Sequence, residues 1–333
     1  MRLRLLLAPL LLASGIVLGA CGSAPSCVSG ATVQAQWNAT PAYGTWKATP
    51  GECVTTTGLN VPHPMTIDGG SFIDPSMPDG HYLHPIIEVN RTGSVTLENL
   101  DIGGTNTTGA YSIPSVNEAG VWLASTWDVT ITHVTITDTW GDGIQTFSDP
   151  PNWPVANTNV AIADVTIDTT GRQGITVGQV NGGTIANVSI HGQYFDAFDF
   201  ESDLPGLGSG NVSIKGCTLG VHDFWLAIEE PLSGPVSVAD CTGGGGRIDV
   251  NNPGKQPITL TNDSMVGVRM GTRPDITVEG TADLTITGCT LTRTPVSAAY
   301  ANEFAPTAPP ITPGGATLVN DTGFGWPLPK GTP

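Results

Sequence analysis

The chain has 333 residues, with 12 Lys+Arg against 29 Asp+Glu and a formal net charge of −17. That acidity excludes a nucleic-acid partner, because phosphates need a basic footprint. Charged residues are only 12% of the chain, and 43 Gly and 27 Pro interrupt it, which excludes coiled coils and long helical bundles, while 39% apolar residues can fill a core and exclude simple disorder.

Arg2 and Arg4 precede an apolar run over 5–17 that is short for a bilayer span. It ends in Leu18, Gly19, Ala20 and Cys21. This order resembles the lipobox of bacterial lipoproteins. The resemblance implies that residues 1–20 are a signal peptide and that Cys21 carries a lipid. The mature protein would then sit outside the cytoplasm, touching the cell membrane only through that anchor. The next residues, Gly-Ser-Ala-Pro-Ser, read as a flexible tether. Cys27 and Cys53 follow, and an oxidising compartment favours a disulfide between them. Residues 21–59 are read as tether and N-terminal cap, 60–325 as the main domain, and 326–333 as a tail.

The main domain repeats one phrase, in which alternating apolar residues flank a single break. It reads VTLENLDI at 95–102, VTITHVTI at 129–136, VAIADVTI at 160–167 and GTIANVSI at 183–190. It continues as VSIKGCTL at 212–219, VSVADCTG at 236–243, ITLTNDSM at 258–265 and LTITGCTL at 284–291. Successive phrases start 22 to 34 residues apart. The breaks fall on Asn99, His133, Asp164, Asn187, Gly216, Asp240, Asn262 and Gly288. Most of these residue types tolerate positive φ, so each phrase predicts two short strands joined by a one-residue bend. A third strand follows each phrase, predicted at 86–89, 121–123, 144–147, 175–177, 198–200, 226–228, 248–250 and 268–270.

Three strands per turn of this length resemble the right-handed parallel β-helix of the pectin-lyase-like superfamily. The resemblance implies an all-β, three-sheet solenoid with capped ends. It also implies a glycan site on one outer face, made by the third strands and their loops. The repeat assigns Cys217, Cys241 and Cys289 to an inward column, as small apolar residues. Cys217 and Cys241 would be one strand spacing apart, about 4.8 Å, so a bridge there is open; Cys289 is expected free. Asp263 falls in the same inward column and is the anomaly, unless it flips outward.

Alternation places one column of the third strands outward: Glu88, Trp122, Gln145, Thr176, Asp199, Ala227, Asp249 and Arg269. The column two residues on includes Glu201 and Glu229. The preceding column, with Gly120, Gly143, Gly174, Ala197, Trp225 and Arg247, reads as small residues that leave backbone open. Trp140, Arg172, Tyr194, Asp196 and His222 lie in the loops leading into the strands. Aromatic rings stack on pyranose faces, and carboxylates accept hydrogen bonds from hydroxyls. Trp122, Trp140, Arg172, Tyr194, Asp196, His222, Trp225 and Arg247 are therefore the candidate substrate-binding residues. Arg172 is expected to pair with Asp196 or Asp199, or else to clamp an acidic sugar.

Glycoside hydrolysis needs two carboxyl groups. Asp199 and Glu229 are the candidate acid and base, roughly 8 Å apart on a strand diagonal. Glu201 and Asp249 would tune them. No cofactor is required, although Ca²⁺ shared among these acids would relieve the same repulsion. Polygalacturonase-like hydrolases carry four short motifs, of which only a His-Gly pair is present here, at His191 and Gly192. Pectate-lyase-like enzymes use an Arg or Lys base, and Arg247 and Arg269 keep that route open. The expectation is a polysaccharide-active surface lipoprotein, with hydrolysis favoured over elimination. A non-catalytic glycan binder or adhesin is the alternative.

Overall fold

The computed structural model describes residues 27–76, 84–112, 117–147, 155–202, 207–220, 224–244, 247–250, 254–267, 276–278, 283–293 and 317–319. It is a right-handed parallel β-helix, and every strand pairing among the described residues is parallel. The eight phrases stack in register. Val129 pairs with Val95 and Val160, and the ladder continues through Gly183, Val212, Val236, Ile258 and Leu284.

All eight break residues adopt left-handed backbone, with φ between 53° and 68°. In the coils over Gly93–Gly103, Trp127–Thr139 and Asn157–Thr170 the strand runs unbroken through this bend. The bend side chains also bond along the stack. Asn99 donates to Asp68 at 2.8 Å and Asn187 to Asp164 at 3.3 Å. A second left-handed column, Ser94, Asp128, Asn159 and Asn211, opens the phrases. Asn and Asp serve there for the same reason as at the first bend.

Inward residues form one continuous core of Val, Ile and Leu, including Ile131, Ile136, Ile162, Ile167 and Ile190. Gly143 belongs to this inner surface. A Cβ there would meet Ile167 Cγ2 at 2.5 Å and the Gly174 carbonyl at 2.7 Å. The small column is therefore small because the wall turns tightly over core isoleucines, not because it exposes backbone. Trp225 lies in that same column and points inward, 3% exposed, rather than lining the outer face. The pairing with Arg247–Val250 shifts register between Phe224 and Leu226, which disturbs the simple alternation there.

The parallel ladders begin earlier than residue 60, since Val28 pairs with Val54 and Cys53–Thr55 with Ser71–Ile73. The helix Gly30–Ala39 covers this end. Ser29 caps it by accepting from the Thr32 N–H, which satisfies one free donor of the first turn. Its Val33 and Trp37 are fully buried, and Trp37 packs on Trp46 and Phe72. Cys27 and Cys53 form a disulfide beside it, and Cys217 and Cys241 form a second. Cys289 is a buried thiol outside both disulfides and donates to Asp263 Oδ2 at 3.8 Å.

Asp263 stays in the core, 2% exposed. It accepts the Cys241 N–H at 2.8 Å, and burial pushes its pKa up to about 6. In the coil after Arg247–Val250 the third strand is Ile276–Val278. The predicted strand at 268–270, with Arg269, lies outside the described residues.

Candidate functional site

Among the described residues the third-strand sheet has nine strands, from Leu59–Asn60 to Ile276–Val278. Its outward column is the one alternation predicts. Glu88, Trp122, Gln145, Thr176, Asp199, Ala227 and Asp249 pair in that order, and Asp249 pairs on to Thr277. Its middle is deeply buried although it faces away from the core. Gln145 is 3% exposed, Thr176 0%, Asp199 2% and Ala227 1%.

A second row runs beside it. The Gly120 N–H donates to the Asp142 carbonyl, that of Gly143 to Gln173, and that of Gly174 to Asp196. Asp142, Gln173 and Asp196 therefore stack at the edge where the chain comes into the strands. Gln173 ties this row to the column. Its Nε2 donates to Asp199 Oδ2 at 2.7 Å, and its Oε1 accepts the Asp196 N–H at 2.9 Å. Asp142 is fully buried; it accepts the Gln173 N–H at 3.1 Å and the Thr176 hydroxyl at 2.7 Å. Burial pushes its carboxyl up, against the pull of Arg172.

Arg172 lies across this floor. Its Nη1 is 3.5 Å from Asp142 Oδ2, and its Nη2 pairs with Glu201. Arg172 thus pairs with Asp142 and Glu201, and its charge also pulls on the Asp199 carboxyl. Arg172 leaves the strand edge one coil before Asp199, and Glu201 stands two residues beyond Asp199 on the outer face, so the guanidinium spans the column. That pairing ties Glu201 to a cation.

Asp199 is left as the acid with a free oxygen, since Oδ1 has no hydrogen-bond partner. Burial, then the negative charge of Glu229, push its pKa up to about 7, against the opposing effects of Arg172 and Gln173. Glu229 is exposed one residue beyond the end of the next strand, Phe224–Ile228, diagonal to Asp199. Asp249 lies two strands from Asp199, with Ala227 between them. Other polar atoms on this face are also unmatched: Gln145 Oε1, Asn90 Oδ1 and the indole N–H of Trp122. Buried polar groups are rarely left without partners, so a run of them in one column is informative.

The aromatic candidates divide. Trp122 is half-buried on the outer column. Trp140 is fixed by donating to the Thr105 hydroxyl at 2.9 Å. Tyr194 is exposed and stacks on Tyr111 at 5.6 Å, with Phe195 edge-on to both. Tyr111 and Phe195 have no place in the sequence reading, because Tyr111 is 83 residues before Tyr194 and only the coil winding joins them. Asp142 and Gln173 share a position before a glycine, in Asp142-Gly143 and Gln173-Gly174, and that is the sequence signal that aligns them. His222 and Cys21 lie outside the described residues, as does the side chain of Arg247. Among the described residues, no three His, Cys, Asp or Glu converge to hold a metal ion.

No family model matches the chain, and no curated protein matches it by sequence. Several solved structures share its architecture. The alginate lyase from Paenibacillus sp. str. FPU-7 has a TM-score of 0.60 at 13% identity, covering 89% of this chain and 98% of that one. The endo-xylogalacturonan hydrolase from Aspergillus tubingensis has a TM-score of 0.61 at 13% identity, covering 88% of each chain. The polygalacturonase from Erwinia carotovora ssp. carotovora has a TM-score of 0.55 at 15% identity, covering 85% and 93%. The shared fold is the right-handed parallel β-helix. Identities this low define the architecture and transfer no residue roles.

Proposed function

We propose that the protein is a polysaccharide-active lipoprotein that hydrolyses a glycan on the outer face of its third-strand sheet. The observation that carries this reading is Asp199. It is almost fully buried on an outward face, has one oxygen without a partner, and stands beside the exposed Glu229. A carboxyl held near pH 7 can still donate a proton at neutral pH, as a general acid must. Glu229 then acts as the base that activates water. Their diagonal placement corresponds to roughly 8 Å, which is the spacing of inverting hydrolases.

Arg172, Asp142 and Gln173 orient Asp199 and touch no reacting atom. Trp122 and Tyr194 line the path of the sugar chain. The fold neighbours support a polysaccharide role, since those named above are a lyase and two hydrolases of such polymers. Hydrolysis is favoured over elimination because Arg172, the described cation at the centre of the face, is held by two carboxylates and is a poor base. The reading needs no cofactor, and places the protein outside the cytoplasm on a lipid carried by Cys21.

Product analysis tests it. Hydrolysis releases saturated reducing ends without added Ca²⁺. Unsaturated, ultraviolet-absorbing ends, or a strict Ca²⁺ requirement, would replace hydrolysis with elimination. Tight binding with no product from the wild type would make the protein a binder.

A further inference from the structure

Of the unmatched polar atoms on the third-strand face, Asn90 Oδ1 and Gln145 Oε1 are acceptors, Asp199 Oδ1 is one when its carboxyl is ionised, and the Trp122 indole is a donor. Gln145 is a neutral group, 3% exposed, in the same register column as Asp199 and two strands away. Its orphan oxygen is thus independent of the acids and asks for a donor as they do. Glu229 adds an exposed negative charge one strand on, and Arg172 is neutralised by Asp142 and Glu201. The whole chain, at −17, adds a field of the same sign.

A polyuronate would bring a carboxylate per sugar against these acids, and it offers few donors. An N-acetylated sugar offers one amide N–H and no charge. A free ammonium offers three donors, no acceptor and a positive charge. We propose that the groove selects a glycan of amino sugars bearing free ammonium groups. This rests on the reading of the same face as a polysaccharide site.

The test is a binding titration of the intact protein with oligomers of equal length. The probes are β-1,4-glucosamine, α-1,4-galactosamine, N-acetylglucosamine, glucose and galacturonate. One of the two free-amine oligomers should bind at least about tenfold more tightly than the other three. The advantage should shrink as salt rises from ~0.05 to ~0.5 M, since exposed charge pairs are screened on that scale. Glu229→Gln, a change at an exposed position, should reduce the advantage without unfolding the protein. Equal or tighter binding of the acetylated, neutral or uronate oligomer overturns the ammonium preference and leaves the glycan reading standing. No binding to any of the five overturns both.

Discussion

Thr130, Thr132, Thr135 and Thr137 point outward from the bent sheet and are half-exposed. A few residues later in the same coil, Gln145 points outward from the third-strand sheet and is 3% exposed. The next coil repeats the contrast, with Thr166 and Asp168 exposed but Thr176 fully buried. Both faces obey the same alternation and the same strand spacing. The bent sheet's outer face is a plain solvated surface of threonine and alanine, stitched at its bends by Asn–Asp bonds. The third-strand face instead concentrates buried acids, a cross-laid arginine and unmatched polar atoms. Alternation decides which side chains leave the core, and it says nothing about whether they then meet water.

The largest way to sharpen this contrast is at the chemistry. Asp199→Asn and Glu229→Gln should each lower glycan turnover by about 10²–10⁴-fold, with binding largely retained. Next is the floor beneath it. Arg172→Met leaves the fully buried Asp142 without its cation and should cost about 3–5 kcal/mol in urea unfolding. Adding Asp142→Asn should recover part of that loss, which a simple packing defect would not allow.

A smaller effect concerns Glu118, fully buried at the edge of the sheet. Burial, then the charge of Asp74, push its pKa up to about 9 from 4.5. The folded state therefore holds a proton that the unfolded chain has released. Its contribution to stability is full below about pH 4.5 and is lost as pH rises through 9. Glu118→Gln should flatten the fall in melting temperature over that range by a few degrees. The smallest effect belongs to the plain face: Thr132→Lys should change stability by less than about 0.5 kcal/mol and leave turnover intact. A large loss of turnover there would break the comparison.

Much of the solenoid was legible because its geometry forces particular residue types. A one-residue bend needs left-handed backbone, and Asn, Asp and Gly accept it, so the breaks from Asn99 to Gly288 could be read directly. The outward column from Glu88 to Asp249 followed from pairing period-2 strands in parallel. The partners of Arg172 were not legible. A long side chain reaches several neighbours, and the choice of Asp142 and Glu201 depends on burial and on Gln173 occupying Asp199. Trp225 was misplaced because a local register shift interrupts alternation. In the coil after Arg247–Val250, two short apolar stretches eight residues apart fit the same pattern, and the described one, Ile276–Val278, is the strand that pairs. The Tyr111–Tyr194 stack joins distant loops, and no local signal marks it.

The most direct test of the central claim is glycan turnover measured with binding for the wild type, Asp199→Asn and Thr132→Lys on one substrate. The account predicts that the wild type and Thr132→Lys release product alike, while Asp199→Asn binds the glycan but releases almost none. Turnover by Asp199→Asn at the wild-type rate would contradict it.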